Sequence, residues 1–201
     1  MIKRWFDILV SGAGLVVFSP VSLLIALAIK LEDGGPVLFT QDRVGRYGRV
    51  FPAYKFRSMV VNAEKHTGPV QATANDPRVT RVGRVLRATA FDELPQLLNV
   101  FVGDMSVVGP RPLRPGEADT TADGRHLPLS AIPGYEARHR VRPGLTGLAQ
   151  VYARRDLPRP GKFRYDLLYQ RRAGFCLDVR LILLSFWITL RGRWEDRGPK
   201  V

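Results

Sequence analysis

The run ILVSGAGLVVFSPVSLLIALAI, residues 8–29, sets the architecture. It is 22 residues long, carries no charge, and lies between Asp7 and Lys30. About 20 apolar residues are enough for a helix to cross a bilayer. Ser19-Pro20 interrupts the run near its middle. Proline lacks an amide hydrogen and its ring crowds the carbonyl four residues back, so a bend belongs there. The Ser19 hydroxyl is placed to satisfy a carbonyl that Pro20 frees. Lys3 and Arg4 precede the run and Lys30 follows it. With bases on both flanks, the positive-inside rule favours neither direction of crossing. A helix that enters, bends at Ser19-Pro20 and leaves on the same side satisfies both flanks. A kinked spanning helix satisfies the length, and these residues alone leave both readings open. A cleaved signal peptide fits poorly, because the apolar stretch is too long and no small-residue cleavage site follows.

The composition is otherwise globular. Of 201 residues, 45% are hydrophobic and 24% charged, which excludes disordered and collagenous classes. The single cysteine excludes a disulfide framework and a cysteine-based zinc site. Lys and Arg number 31 against 18 Asp and Glu, a net charge of +13. Such a charge calls for an anionic partner: nucleic acid, an anionic membrane surface or a phosphorylated substrate. The bases are 25 Arg and 6 Lys. Arginine suits a bidentate grip on phosphate, although a GC-rich coding sequence yields the same ratio.

Residues 36–39 read as a strand, Gly45 and Gly48 as a turn, and 50–59 as extended chain, together a β-hairpin. The turn lacks the Lys-Ser/Thr of a P-loop. Residues 62–77 read as a polar loop. Val79, Val82 and Leu86 follow at near-helical spacing, interleaved with Arg78, Arg81, Arg84 and Arg87. Leu94, Leu97, Leu98 and Phe101 form a helical stripe that Gly103-Asp104 ends. Residues 113–134 read as a surface loop, and 165–170 and 177–187 as helices. Residues 181–190 are apolar but too short to span. With Arg180, Arg191, Arg193, Trp187 and Trp194 around them, they describe an interfacial amphipathic helix or a core helix with a basic tail. His66, His126 and His139 show no ligand spacing and read as surface residues. The fold class is α+β, mainly α with a short β-hairpin.

Asp92-Glu93-Leu94-Pro95-Gln96 is the sharpest local feature. Thr89 with Asp92 three residues on makes a capping box, so a plain helix start accounts for it. The same geometry also serves chemistry. A carboxylate held at a helix start acts as a nucleophile in aspartyl-phosphate reactions, and its neighbour binds Mg²⁺. From Gly35 to Phe91 there are ten bases and three acids, so a net +7 precedes the pair. Three further segments read as contact loops or as stiff structural ones. They are Lys55-Phe56-Arg57-Ser58-Met59, Gly109-Pro110-Arg111-Pro112 and Arg142-Pro143-Gly144-Leu145-Thr146-Gly147. In the second, two prolines pre-orient one arginine.

These motifs resemble the bacterial sugar transferase family, the monotopic phosphoglycosyl transferases. The resemblance runs from Lys3-Arg4-Trp5-Phe6-Asp7 and Ser19-Pro20 through Gly35-Pro36-Val37-Leu38-Phe39, Gln41 and Arg43 to the Lys55 segment. Its longest block extends from Phe91 to Val100 and from Gly103 to Pro112. It closes with the Arg142 segment and Tyr165-Asp166-Leu167-Leu168-Tyr169. It implies transfer of a phosphosugar from a UDP-sugar to undecaprenyl phosphate, with release of UMP. Asp92 is implied as the nucleophile that forms a phosphosugar-aspartyl intermediate. Glu93, with Asp92, is implied as the Mg²⁺ site. Lys55, Arg57, Arg87, Arg111 and Asp166 are implied as substrate- and phosphate-binding residues. The family's N-terminal helix is re-entrant and bent at the Ser-Pro pair, which resolves the choice left open above. Residues 1–31 are then the re-entrant helix. Residues 32–201 are a catalytic domain on the cytoplasmic face of the inner membrane, ending in an interfacial helix and a basic tail.

Larger members carry further N-terminal helices and another domain, so the 201 residues are expected to match the minimal catalytic unit. Leu148 stands where a Trp is expected, and Phe91 where Leu is commoner. The rival reading is a non-enzymatic binder of polyanions at the membrane, which leaves Asp92-Glu93 unexplained. A degraded, inactive member is a third reading, against which the intact pair argues. The expected partners are a UDP-sugar, undecaprenyl phosphate and anionic lipids, and no nucleic acid. Residues 113–134 and 152–164 are candidate specificity loops.

Overall fold

The uncharged run folds as two helices. The computed structural model describes residues 2–63, 65, 76–120, 126–154 and 156–194. Helix α1 spans Ile2–Val17 and α2 spans Ser19–Asp33, with a 57° bend between them. Phe18 N–H still donates to Gly14 O and Ser22 N–H to Phe18 O. The carbonyl four residues before Pro20 is that of Val16, and the Ser19 hydroxyl donates to it at 2.8 Å. The bend is thus made by proline and its orphaned acceptor is met by the adjacent serine. Neither helix alone is long and apolar enough to cross a membrane; by length and composition the bent pair together is. Leu9, Val16 and Val17 on α1 and Leu23, Leu24 and Leu27 on α2 are exposed. Gly34, in the left-handed region at φ 70°, ends α2.

The other side of α1 is bound to the body of the protein by charge. Arg4 donates to Val100 O and Phe101 O, each at 2.6 Å, at the end of a later helix. Lys3 pairs with Asp178 at 2.6 Å. Asp7 is fully buried and accepts from Ser106 Oγ and Val107 N–H. The basic flank of the apolar run therefore works inside the protein.

Strands β1 (Leu38–Val44) and β2 (Val50–Phe56) form the expected hairpin, with Phe39 opposite Lys55 and Gln41 opposite Ala53. Helix α3 (Arg81–Thr89) is capped by Thr80, whose hydroxyl accepts from Gly83 N–H. A side chain on Gly83 would meet Ser58 O at 2.0 Å, so glycine lets α3 sit against the chain that leaves β2. Helix α4 (Gln96–Val102) follows and ends at Gly103, φ 105°. Asn99 of α4 accepts from Tyr54 N–H and donates to Pro52 O, which locks α4 to β2.

A short parallel pair comes next, β3 (Ser106–Val108) with the later β6 (Gly144–Thr146). Between them lie a second hairpin, β4 (Ala118–Thr120) and β5 (His126–Pro128), and the short helix α5 (Tyr135–Arg138). Helices α6 (Leu148–Tyr152), α7 (Arg159–Arg172) and α8 (Phe175–Leu190) complete the fold. The main core gathers Phe51, Val100, Met105, Val108, Val151, Leu181 and Ile188 from both ends of the chain. Each such side chain contributes roughly 1.5–3 kcal/mol on burial.

The structure corrects several expectations. Thr89 is the last residue of α3, not an N-cap; its hydroxyl donates back to Val85 O. Of the Leu94 stripe, Leu97 is buried but Leu98 and Phe101 are exposed, because the buried face of α4 is completed by Gln96, Asn99 and Val100. The expected loop 113–134 contributes Leu113, Leu129 and Ile132, which pack with Phe163 as a separate core. His139 is buried. The expected interfacial helix, α8, is both things at once. Leu181 and Ile188 are fully buried, while Leu183, Phe186, Trp187 and Leu190 are exposed. Leu148 packs against the main core. Most of loop 62–77 with His66, the basic tail beyond residue 194, and residues 121–125 and 155 lie outside the described residues.

Candidate active site

Asp92 and Glu93 sit in a single 3-10 turn, Phe91–Glu93, wedged between α3 and α4. Ala90, at φ 59°, reverses the chain after α3 and aims the turn inward. Both carboxylates are sheltered, with side-chain exposures of 11% and 12%. They are not equivalent. Lys55 Nζ lies 2.5 Å from Glu93 Oε1 and 3.9 Å from Asp92 Oδ2. Arg111 donates to the same Glu93 Oε1 at 2.7 Å. Glu93 thus takes the direct ion pairs, and Asp92 faces the cations at longer range.

The difference shows in their ionisation. Burial pushes Asp92 up to about 6, against the charges of Lys55, Arg87 and Arg111, while Glu93 pushes it further up. Burial opposes ionisation of Glu93 too, but Arg111 and Lys55 overcome it and hold that carboxyl far below the usual range. A carboxylate near pKa 6 is ionised at neutral pH and keeps more basicity than an ordinary aspartate.

The pair lines a cleft of about 1030 Å³. One part of its wall is apolar: Val10, Gly14, Phe18, Leu97, Ile182 and Phe186, contributed by α1, α4, α8 and the bend. Another part is cationic: Arg43, Lys55, Arg87, Arg111, Arg138 and Arg159. Lys55 and Arg111 pair with Glu93, Arg138 with Asp166 and Arg159 with Glu117. Burial, with Arg111 and Arg114 nearby, pushes Arg43 down to about 10. The cleft is built to receive a strongly anionic group with an apolar extension.

Of the residues singled out from sequence, Lys55, Arg87, Asp92, Glu93 and Arg111 meet at this cleft. Arg57 borders it too, but its guanidinium is committed elsewhere. It grips Asp33 with both terminal nitrogens and donates to Pro36 O at 2.6 Å. Arg57 therefore ties the foot of α2 to the end of β2. Asp166 also lines the cleft; it is buried and pairs with Arg138 at 2.8 Å. Burial pushes its carboxyl up, against the pull of Arg138. Ser19 and Pro20 make the bend.

The Arg142 segment acts chiefly as structure. Ser106 pairs with Gly144 and Val108 with Thr146. A side chain on Gly144 would meet Gly109 N at 2.0 Å, so bare backbone is required where the two loops cross. That crossing carries the Gly109-Pro110-Arg111-Pro112 segment to the dyad. Arg43, Arg138 and Arg159 were missed as site residues. A signal for Arg43 existed: once Phe39 is registered opposite Lys55, period-two alternation puts Gln41 and Arg43 on the Lys55 face. Nothing local marks Arg138 or Arg159. The two candidate specificity loops do meet, since Arg159 pairs with Glu117 and its N–H donates to Asp119.

The chain is similar to known proteins over nearly all of its length. The chain matches the bacterial sugar transferase family over residues 1–192. It is 45% identical over 187 residues to the exopolysaccharide production protein PSS of Rhizobium leguminosarum bv. phaseoli, covering 90% of this chain and 92% of that one. It is 45% identical over 188 residues to the UDP-glucose:undecaprenyl-phosphate glucose-1-phosphate transferase of Klebsiella pneumoniae, covering 91% of this chain and 39% of the relative. It is 44% identical over 194 residues to the UDP-N-acetylgalactosamine-undecaprenyl-phosphate N-acetylgalactosaminephosphotransferase of Aeromonas hydrophila, covering 95% and 44%. The chain thus spans about two fifths of the length of the last two. With the dyad, the cationic cleft and the bent helix pair all inside the matched residues, the chain belongs to the bacterial sugar transferase family.

Proposed function

We propose that this transferase moves a phosphosugar from a UDP-sugar to undecaprenyl phosphate, releasing UMP, as a step in exopolysaccharide synthesis. The names of the relatives support the substrates and the pathway. The observation that carries the mechanism is the asymmetry of the dyad. Glu93 absorbs the direct ion pairs, and Asp92 remains a buried carboxylate of raised basicity facing the cleft.

Asp92 attacks the β-phosphorus of the UDP-sugar. The bond from that phosphorus to the bridging oxygen breaks, and UMP leaves with the bond's electrons. The phosphosugar is then held as an acyl phosphate on Asp92. An oxygen of undecaprenyl phosphate attacks the same phosphorus and expels the carboxylate. Lys55, Arg87 and Arg111 neutralise the charge that gathers at phosphorus and at the leaving oxygen. The carboxylates of Asp92 and Glu93 suit Mg²⁺, which takes one or two carboxylates together with substrate phosphates. Among the described residues no group of three or more His, Cys, Asp or Glu is placed to hold a metal ion, so Mg²⁺ would rest on these two carboxylates and the substrate phosphates. Mg²⁺ so held supplies charge neutralisation of the diphosphate.

The apolar wall of the cleft and the exposed apolar faces of α1, α2 and α8 support seating at a membrane. In this reading α1 and α2 form a re-entrant hairpin at the cytoplasmic face of the inner membrane. Arg191, stacked on Trp187 at 4.3 Å, faces anionic lipid. Intact-mass analysis with a UDP-sugar and Mg²⁺ but no acceptor tests the chemistry. The expected result is a phosphosugar adduct on the wild type and none on Asp92→Asn; an adduct on the variant overturns the role of Asp92. Accessibility of tags at residues 1 and 201 tests the hairpin, which opposite-side labelling rules out.

A further inference from the structure

Arg138 is 2% exposed and Asp166 4%, and every nitrogen of the Arg138 guanidinium has an acceptor. Its Nε donates to Asp166 Oδ2 at 2.8 Å. Its Nη2 donates to the backbone carbonyl of Arg111 at 2.7 Å. Its Nη1 faces His139 Nε2 at 3.2 Å. The other ring nitrogen of His139, Nδ1, lies 2.8 Å from Tyr135 O. A carbonyl only accepts, so Nδ1 carries the ring proton and Nε2 accepts from Arg138. The guanidinium also lies over the Phe163 ring, 4.8 Å from its centroid. Four groups from α5, α7 and the Arg111 loop therefore fix one buried cation.

What that cation holds is the backbone of Arg111. Pro110 and Pro112 flank Arg111 and stiffen the chain, and the residue before a proline is kept extended. Gly144 N–H holds Pro110 O at 2.9 Å and Arg43 holds Pro112 O at 3.2 Å; Arg138 holds the Arg111 carbonyl between them, and from there the Arg111 side chain reaches Glu93 Oε1 at 2.7 Å. We propose that Arg138, oriented by Asp166, is a positioning residue that places Arg111 on the dyad. Asp166 acts through Arg138 and not by contact with substrate. The proposal rests on the dyad being the reactive site.

The test uses the full chain in detergent micelles, with Arg138→Lys, Asp166→Ala, Asp166→Asn, Arg111→Ala and the double variant Arg111→Ala/Arg138→Lys. Lysine keeps the charge but not three directed donors. Arg138→Lys and Asp166→Ala are expected to lower kcat for UMP release about 10- to 100-fold with KM changed much less, the range for losing one aligned cation. Asp166→Asn, which keeps an acceptor oxygen, recovers part of the loss. The double variant is expected to fall no more than about twofold below Arg111→Ala, because residues acting as one unit are not additive. Losses that multiply in the double variant overturn the proposal.

A second measurement does not need turnover. Site-resolved labelling with phenylglyoxal is expected to rise at Arg111 in Arg138→Lys relative to Arg78, which has its own partner in Asp76. A lower melting temperature with unchanged Arg111 labelling makes the role merely structural and overturns the proposal. If the wild type releases no UMP from any UDP-sugar, the enzymatic reading fails, and the labelling ratio still decides the tether. If Arg138→Lys does not fold, Asp166→Asn carries the same labelling comparison.

Discussion

Lys55 and Arg57 leave the same end of β2 two residues apart, and they meet carboxylates of different kinds. Lys55 faces Glu93 at 2.5 Å and Asp92 at 3.9 Å, a pair of acids with more negative charge than one lysine balances. Arg57 faces Asp33 alone, one guanidinium on one carboxylate in bidentate geometry. The Arg57 pair is complete, and its partner is held down to about 2 first by that hydrogen bonding. The Lys55 cluster is shared: Arg111 pairs with the same Glu93, and Arg87 and Arg111 also act on Asp92, so several cations converge on the two acids. Strand alternation places both cations on one side, but only the first region is poised for chemistry. The second fixes α2 to the sheet.

That contrast can be broken experimentally. Asp92→Asn has the largest expected effect, a loss of about 10⁴-fold or more in UMP release, as for removal of other covalent nucleophiles. Lys55→Met should cost about 10²- to 10³-fold, the usual range for one preorganised electrostatic contact. It should also move the acid limb of kcat/KM. If Asp92 reacts as the carboxylate, as proposed, activity should fall as pH drops through about 6. The Lys55 charge lowers the pKa of Asp92, so its removal shifts that limb to higher pH. Arg57→Met should leave UMP release within about tenfold, or 1.4 kcal/mol in barrier, and lower the melting temperature instead. If the pH profile moves equally for both variants, the division of labour between the two cations is wrong. The smallest effect is expected from Leu183→Ser with Trp187→Ser. Sedimentation with anionic vesicles should weaken, and turnover of a short-chain soluble acceptor should not change.

Much of this was legible from residues alone. The bend at Ser19-Pro20, the hairpin around Gly45 and Gly48 and the end of α4 at Gly103 all follow from local chemistry. The failures share a cause. Thr89 looked like an N-cap because capping boxes are local patterns, yet the chain had already spent that residue on the last turn of α3. The buried face of α4 was misplaced because Asn99 is buried by a tertiary demand, the unpaired backbone of β2. His139 looked exposed because nothing near it in sequence announces a buried arginine beside it.

Spacing, charge and proline placement thus determined by themselves that an apolar run is broken, that a basic chain surrounds an acidic pair, and that two prolines stiffen the arginine between them. Only the tertiary structure decided which cations serve the pair. Lys55 and Glu93 are 38 residues apart, Arg111 and Glu93 18, and Arg138 and Asp166 28. Ion pairs are chosen by distance and burial, and at such separations along the chain neither is fixed until the strands and helices have packed.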